Sequence, residues 1–385
     1  AGIEFSDDGF DILVQSVYTS DDSIFWSYKH KDHEIFSESM PSLDVIVKIY
    51  RSYLLNNDPR TKDLAKLLYK YLIKSKTHTY KIKNKKHLII MPDPILSYLP
   101  FETLIDEQEK YLIETYDISY IQSFDILSIL QSREYDIDSN MLFAYGGIEY
   151  NKPESSMLNE NISMLELEEI VSSKIETRSS LTDIYSHMGY IEIPYLPFAL
   201  SEVQEIGKYF STAEIITGRA ASENKLKEMS NSGKLAEYNV LHFSTHGFIV
   251  PEISDLSALV LAADDNDLED GYLNASEIMN LDLKADFVNL SACDTGLGKI
   301  YKGEGVVGLT QAFMIAGANA MSVTLWPVAD ESTSIFMTEM YKTAEEMDIS
   351  YLESMSIVKR KFISGDLGKK YQDPYYWAPF VYYGK

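Results

Sequence analysis

The chain has 385 residues, 45% of them hydrophobic and 12% aromatic, with 28 tyrosines. That is the composition of a packed globular protein of two or three domains, and it excludes an acidic disordered one. The formal net charge of −25 excludes nucleic acid and an anionic membrane surface as direct partners, because both need a basic face.

No apolar stretch reaches the roughly 18 residues of a membrane span, and no charged-then-apolar leader is present. The single cysteine, Cys293, leaves no internal disulfide and fits a reducing cytoplasm.

In chain order, residues 9–40 read as short strands (F-D-I-L-V-Q, S-I-F-W-S-Y and E-I-F-S). Helical patterns follow at 43–55 and 62–73, the second with Leu64, Leu67, Leu68, Tyr71 and Leu72 on one side. Buried strands are expected at 87–91, 116–121 and 141–145, the last running into the Gly146-Gly147 turn. Residues 149–188, rich in Ser, Glu and Asn, form the least patterned stretch and read in part as an exposed insertion.

Beyond it a helix is expected at 202–210, a strand at 214–217, and a helix over 222–229 capped by Ser222. Two apolar runs come next, N-V-L-H-F-S-T-H-G (239–247) and D-F-V-N-L-S-A-C-D-T-G (286–296). A helix at 306–316, a strand at 320–326, a helix at 331–341 and a last strand at 380–383 close the chain. Such alternation predicts a mainly parallel sheet covered by helices.

The two apolar runs carry the chemistry. Each delivers a reactive side chain, His246 or Cys293, to the turn after a strand. In an open α/β sheet, ligands bind outside the carboxyl ends of the strands, so both groups are placed to face one crevice. A separation of about 50 residues is one strand-helix-strand excursion with a loop, which lets neighbouring parallel strands hold the pair.

The thiolate is the nucleophile and needs a base, which His246 supplies. Gly247 removes a side chain where a substrate carbonyl approaches, so its N–H and that of Cys293 are oxyanion-hole candidates. Free cysteines are often plain core residues, but the Asp-Thr-Gly that follows Cys293 reads as a turn and not as continued core. Asp294 keeps two readings, a carboxylate that selects Arg or Lys before the cut and a turn cap. His242 reads as a packed residue on the dyad's face, or as one that orients His246.

Three lookalikes are set aside. Gly303 to Gly308 fits G-x-G-x-x-G, but a polar loop and not a strand precedes it. Its glycines, Gly303 and Gly305 among them, permit close packing beside the site, and Glu304 is a candidate to hold an active-site loop. The acidic run 264–270, read as a calcium loop from Asp265, has Asp270 and Ser276 where glycine and glutamate belong, so a solvated hairpin tip is expected. His242 and His246 lack the E-x-x-H helix and third ligand of a zinc site, so no metal is expected.

H-F-S-T-H-G, S-A-C-D-T-G, G-E-G-V (303–306), A-F-M-I-A-G-A (312–318), L-W-P-V (325–328) and W-A-P-F-V (377–381) resemble, in order, the signatures of the CHAT family. These are bacterial caspase-like cysteine peptidases, similar also to separase. H-L-I-I-M-P-D (87–93), L-P-F-E-T-L (99–104) and L-P-F-A-L-S-E-V (196–203) resemble the family's N-terminal half, so the likeness covers most of the chain from about Asp63 onward.

The resemblance implies an α/β caspase-hemoglobinase fold, a mainly parallel sheet with helices on both faces, preceded by a smaller α/β subdomain of pseudo-caspase type. It divides the chain into a lead-in at 1–62, an N-terminal half at 63–190 and a catalytic half at 191–385. It implies a His246/Cys293 cysteine endopeptidase with no cofactor, acting in the cytoplasm on a dedicated protein substrate in bacterial defence or signalling. It also implies an enzyme held inactive until a partner is sensed, with an activating partner or an upstream module of helical TPR repeats outside this sequence, which suits a chain that begins with alanine. The glycine-rich stretch 296–308 is the element expected to move on activation. The alternative is a catalytically idle scaffold of the same fold that works by protein binding.

Overall fold

The structure, a computed structural model of the chain, describes residues 3–7, 12–18, 23–30, 43–74, 85–92, 94–133, 135, 140–150, 193–248, 256–263, 269–291 and 305–384. The first elements are strands β1 (Ile3–Asp7), β2 (Ile12–Tyr18) and β3 (Ser23–His30), then helices α1 (Leu43–Leu55) and α2 (Thr61–Leu72). Strands β4 (His87–Met91) and β5 (Asp117–Tyr120), helix α3 (Phe124–Ser132) and strand β6 (Met141–Gly146) follow.

After residue 193 come α4 (Ala199–Ile206), β7 (Thr212–Thr217), α5 (Glu223–Asn231), β8 (Val240–Phe243), β9 (Gly247–Phe248), β10 (Ala258–Val260), β11 (Tyr272–Asn274), α6 (Ala275–Ile278) and β12 (Phe287–Leu290). The last elements are α7 (Gly305–Ala316), β13 (Ala320–Thr324), α8 (Asp330–Met347), α9 (Tyr351–Ser364), α10 (Pro374–Trp377) and β14 (Phe380–Gly384).

The chain divides into two compact units. One comprises Ala1–Glu134, Ala320–Leu325 and Glu339–Lys385; the other comprises Tyr135–Asn319 and Trp326–Thr338. In the first, strands run in the order β1-β2-β3-β4-β5-β14-β13. The β1-β2-β3 meander is antiparallel, β3, β4, β5 and β14 are mutually parallel, and β13 returns antiparallel to β14.

The core of this unit includes Tyr50, Leu68, Ile90, Phe101, Phe362, Trp377 and Phe380. Inside it the Lys359 ammonium meets the Glu102 carboxylate at 2.7 Å, and the Tyr120 hydroxyl donates to the same carboxylate at 2.6 Å. Burial lowers the Lys359 pKa, against the pull of Glu102.

The second unit is built on four parallel strands in the order β12-β8-β6-β7, the arrangement that continuous apolar runs predict. Every residue of β8 and β12 is buried. Phe243 of β8 packs between Phe143 of β6 and Phe313 of α7, with ring centroids 6.5 and 5.9 Å away. A small antiparallel sheet, β9-β10-β11, grows from the end of β8.

Helix starts follow local chemistry. Ser222 accepts the Lys225 N–H at 3.2 Å as the N-cap of α5. Asn274 and Glu277 close a reciprocal capping box on α6.

The expected helix at 202–210 begins earlier and ends at Ile206, where the chain tightens into a 3-10 turn, Gly207–Tyr209. The helix expected at 331–341 runs on to Met347. The expected strand E-I-F-S and the unpatterned stretch beyond Tyr150 lie outside the described residues.

Candidate active site

The site grows from the parallel register of β8 and β12. Asn289 pairs with His242 and Leu290 with Phe243, so the two strands end level. The Ser291 N–H continues the ladder to the Phe243 carbonyl at 3.0 Å, and Ser244 donates to the Tyr145 carbonyl of β6 at 2.8 Å. The turn after β8 therefore carries His246 at the same edge to which β12 delivers Ser291, two residues before Cys293. Cys293 itself, with Asp294, Gly303 and Glu304, lies outside the described residues; Gly305 is the first residue of α7.

His246 is buried, and its orientation is set by a backbone group. Its Nε2 lies 2.7 Å from the carbonyl oxygen of Pro194. A carbonyl only accepts, so Nε2 carries the proton, and in the neutral ring the basic lone pair is on Nδ1. The Tyr150 ring lies 5.3 Å from the His246 ring at an interplanar angle of 58°, walling one side.

The Thr245 hydroxyl donates to the Val260 carbonyl, which leaves its oxygen to accept from the Tyr150 hydroxyl at 3.0 Å. Burial pushes the Tyr150 hydroxyl up to about 12, so it stays neutral at working pH.

Gly247 opens β9, opposite Leu259 of β10. The Val260 N–H donates to the His246 carbonyl at 2.9 Å, which makes His246 and Val260 the hydrogen-bonded pair of the ladder. Gly247 and Leu259 are then a non-bonded pair, and the Gly247 N–H is turned away from β10.

His242 is fully buried on β8 and joins a different set of partners. Its Nε2 meets Glu202 Oε1 of α4 at 2.9 Å, and its Nδ1 meets the Asn289 amide at 3.0 Å. The Ser291 hydroxyl donates to the same Glu202 oxygen at 2.5 Å. Asp330, at the start of α8, accepts the Phe198 N–H at 2.8 Å, and partial burial raises its pKa.

Pro194, Tyr150 and Glu202 are the residues that sequence reasoning misses. A backbone carbonyl has no side-chain signature, and a glutamate in the first turn of a helix reads as solvent-facing until its burial is seen.

The acidic run 264–270 falls between β10 and β11 in the sequence, and its residues 264–268, expected as a hairpin tip, lie outside the described residues. Among its described members, Glu269 joins Glu223 and Glu277 in a group of carboxylates whose oxygens approach within 4.8 Å of one another. The Lys227 ammonium lies among them, at 2.6 Å from Glu223, 3.0 Å from Glu269 and 2.7 Å from Glu277. An ammonium thus occupies the place a cation would take.

A family model described as CHAT domain matches residues 62–385. The chain belongs to the CHAT domain family.

Among curated proteins, tetratricopeptide repeat protein 28 of Mus musculus is 28% identical over 146 residues, and that of Homo sapiens is 27% identical over 146 residues. Each alignment covers 36% of this CHAT chain and 6% of the relative, so the chain spans a small part of those proteins. Among solved structures, the Saccharomyces cerevisiae separase-securin complex aligns with a TM-score of 0.42 at 14% identity, over 80% of this chain and 17% of that one. The complex of Porphyromonas gingivalis RgpB pro- and mature domains aligns with a TM-score of 0.43 at 10% identity, over 89% and 76%.

No helix among the described residues is long and apolar enough to cross a membrane.

Proposed function

We propose that this CHAT domain is a cysteine endopeptidase in which His246 activates the thiol of Cys293. The observation that carries the reading is the bond from His246 Nε2 to the Pro194 carbonyl, which leaves Nδ1 as the ring's base at the end of the strand beside β12.

Nδ1 takes the thiol proton, and the sulfur attacks the peptide carbonyl. The N–H groups of Gly247 and Cys293 hold the oxyanion. The imidazolium returns its proton to the leaving amine, leaving a thioester that water, deprotonated by His246, then hydrolyses. Asp294, next to the nucleophile, favours Arg or Lys before the cut.

The substrate is a dedicated protein in cytoplasmic defence or signalling. Activation is a shift in population of the glycine-rich stretch 296–308, driven by a partner that binds the competent arrangement more tightly.

The test is incubation with proteins encoded beside it, followed by mass spectrometry of new termini. Cleavage by the wild-type chain and none by Cys293→Ala is the expected result. Equal cleavage by both, or turnover that survives loss of the only cysteine, contradicts the assignment.

A further inference from the structure

We propose that Glu202 is a positioning residue for this reaction, a buried carboxylate that ties together the two strand ends carrying the dyad. The inference rests on the His246/Cys293 reading.

Glu202 is 1% exposed. A carboxylate held that far from water needs donors, and here it takes them from both catalytic strands. Its Oε1 receives the His242 Nε2–H at 2.9 Å from β8 and the Ser291 hydroxyl at 2.5 Å from the end of β12. The Asn289 amide lies 3.0 Å from His242 Nδ1, so the ring is bonded at both nitrogens, with Nε2 directed at Glu202. Asn289 is itself held by Met337, its Nδ2 lying 3.2 Å from the sulfur. One oxygen thus links a residue four positions before His246 to a residue two positions before Cys293.

The same short stretch reaches His246 from the other side. Glu202 lies in α4, and the chain leading into that helix contains Pro194, whose carbonyl fixes the His246 ring at 2.7 Å. Between them the Phe198 N–H is anchored on Asp330 at 2.8 Å. Residues 194–202 therefore hold the base by its ring and both strand ends by one carboxylate. Loosening Glu202 frees the nucleophile and the base to drift relative to each other. Drift of about 1 Å is enough to cost on the order of 100-fold in rate.

The probe is iodoacetamide, which reports the Cys293 thiolate because no other cysteine exists. Alkylation rate is measured against pH in the 385-residue chain and in Glu202→Ala, Glu202→Gln and Ser291→Ala, with folding followed by circular dichroism. Glu202→Ala should lower the rate at pH 7 by about 10- to 100-fold and move the midpoint up toward the free-thiol value of about 8.5. Glu202→Gln keeps an oxygen that accepts both donors and should restore the midpoint. Ser291→Ala removes one tie without stranding a charge and should slow alkylation by about 2- to 10-fold, which carries the test if Glu202→Ala does not fold.

A folded Glu202→Ala or Ser291→Ala with the wild-type midpoint and rate overturns the proposal, as does a folded Glu202→Gln as impaired as the alanine variant. A depressed wild-type midpoint that Glu202→Ala leaves unmoved rejects the role of Glu202 alone. A wild-type chain with a free-thiol profile rejects the dyad, and this proposal with it.

Discussion

The carbonyl of Pro194 accepts the Nε2–H of His246 at 2.7 Å, so a backbone oxygen does for this ring what a carboxylate does in a Ser-His-Asp triad. A carbonyl holds the tautomer without placing a full charge beside the imidazole. Any residue that helps keep the ring in this plane should therefore act on rate more than on binding.

Tyr150 is such a residue, its ring packed at a tilt 5.3 Å from the imidazole and its hydroxyl bonded to Thr245. Tyr150→Ala should lower the rate of Cys293 alkylation by about tenfold or more, because the ring gains room to rotate. Tyr150→Phe keeps the wall and loses the hydroxyl's bonds to Thr245 and to the His246 backbone, so it should cost about threefold. Alkylation kinetics of the two variants check the order.

In the first unit, Lys359 and Glu102 are both within 3% of full burial. Lys359→Met strands the carboxylate and should destabilise the chain by about 3–5 kcal/mol, whereas Lys359→Met with Glu102→Leu should recover much of that loss. Urea unfolding of the single and double variants measures both.

Gly317 follows α7 with φ +126°, and a Cβ there would come within 1.9 Å of the Leu283 carbonyl oxygen. Gly317→Ala combines a disfavoured backbone with a direct clash against backbone, so a loss of about 3 kcal/mol or more is expected in the same assay.

Burial, and then the charge of Glu277, push Glu223 up to about 8 in spite of the Lys227 ammonium. Lys227 is itself pushed upward by its three carboxylate partners, so it stays charged and the surplus negative charge falls on the carboxylates. The folded state holds the Glu223 proton to higher pH than the unfolded chain does. The stability this contributes is full below the ordinary carboxylate range and is lost as pH rises through about 8. Unfolding free energy should therefore fall between about pH 4.5 and 8 and level off above it, and Glu223→Gln, which still accepts the Gly271 N–H, should flatten that fall.

The strands that present His246 and lead to Cys293 are legible because each is a continuous apolar run bounded by turn residues, the pattern of a strand buried on both faces. The two- and three-residue strands β9–β11 are too short to carry a period. Helices α3 and α9 have readable N-caps, Ser123 and the Ser350/Glu353 box, and α9 buries Leu352, Met355, Val358 and Phe362 at helical spacing, signals that a reading centred on the two apolar runs passes over. Within the site, a histidine before glycine at a strand end declares itself. The Pro194 carbonyl and the Glu202 carboxylate do not, because their roles exist only once residues about 50 and about 90 positions away are brought beside them.

The rate at which iodoacetamide captures Cys293 across pH, compared between the wild-type chain and His246→Ala, measures whether this histidine activates this thiol. A working dyad gives a wild-type midpoint well below the free-thiol value of about 8.5, and in His246→Ala a midpoint back at that value with a rate at pH 7 at least about tenfold lower. Superimposable profiles, with both proteins folded, would mean that His246 does not serve Cys293.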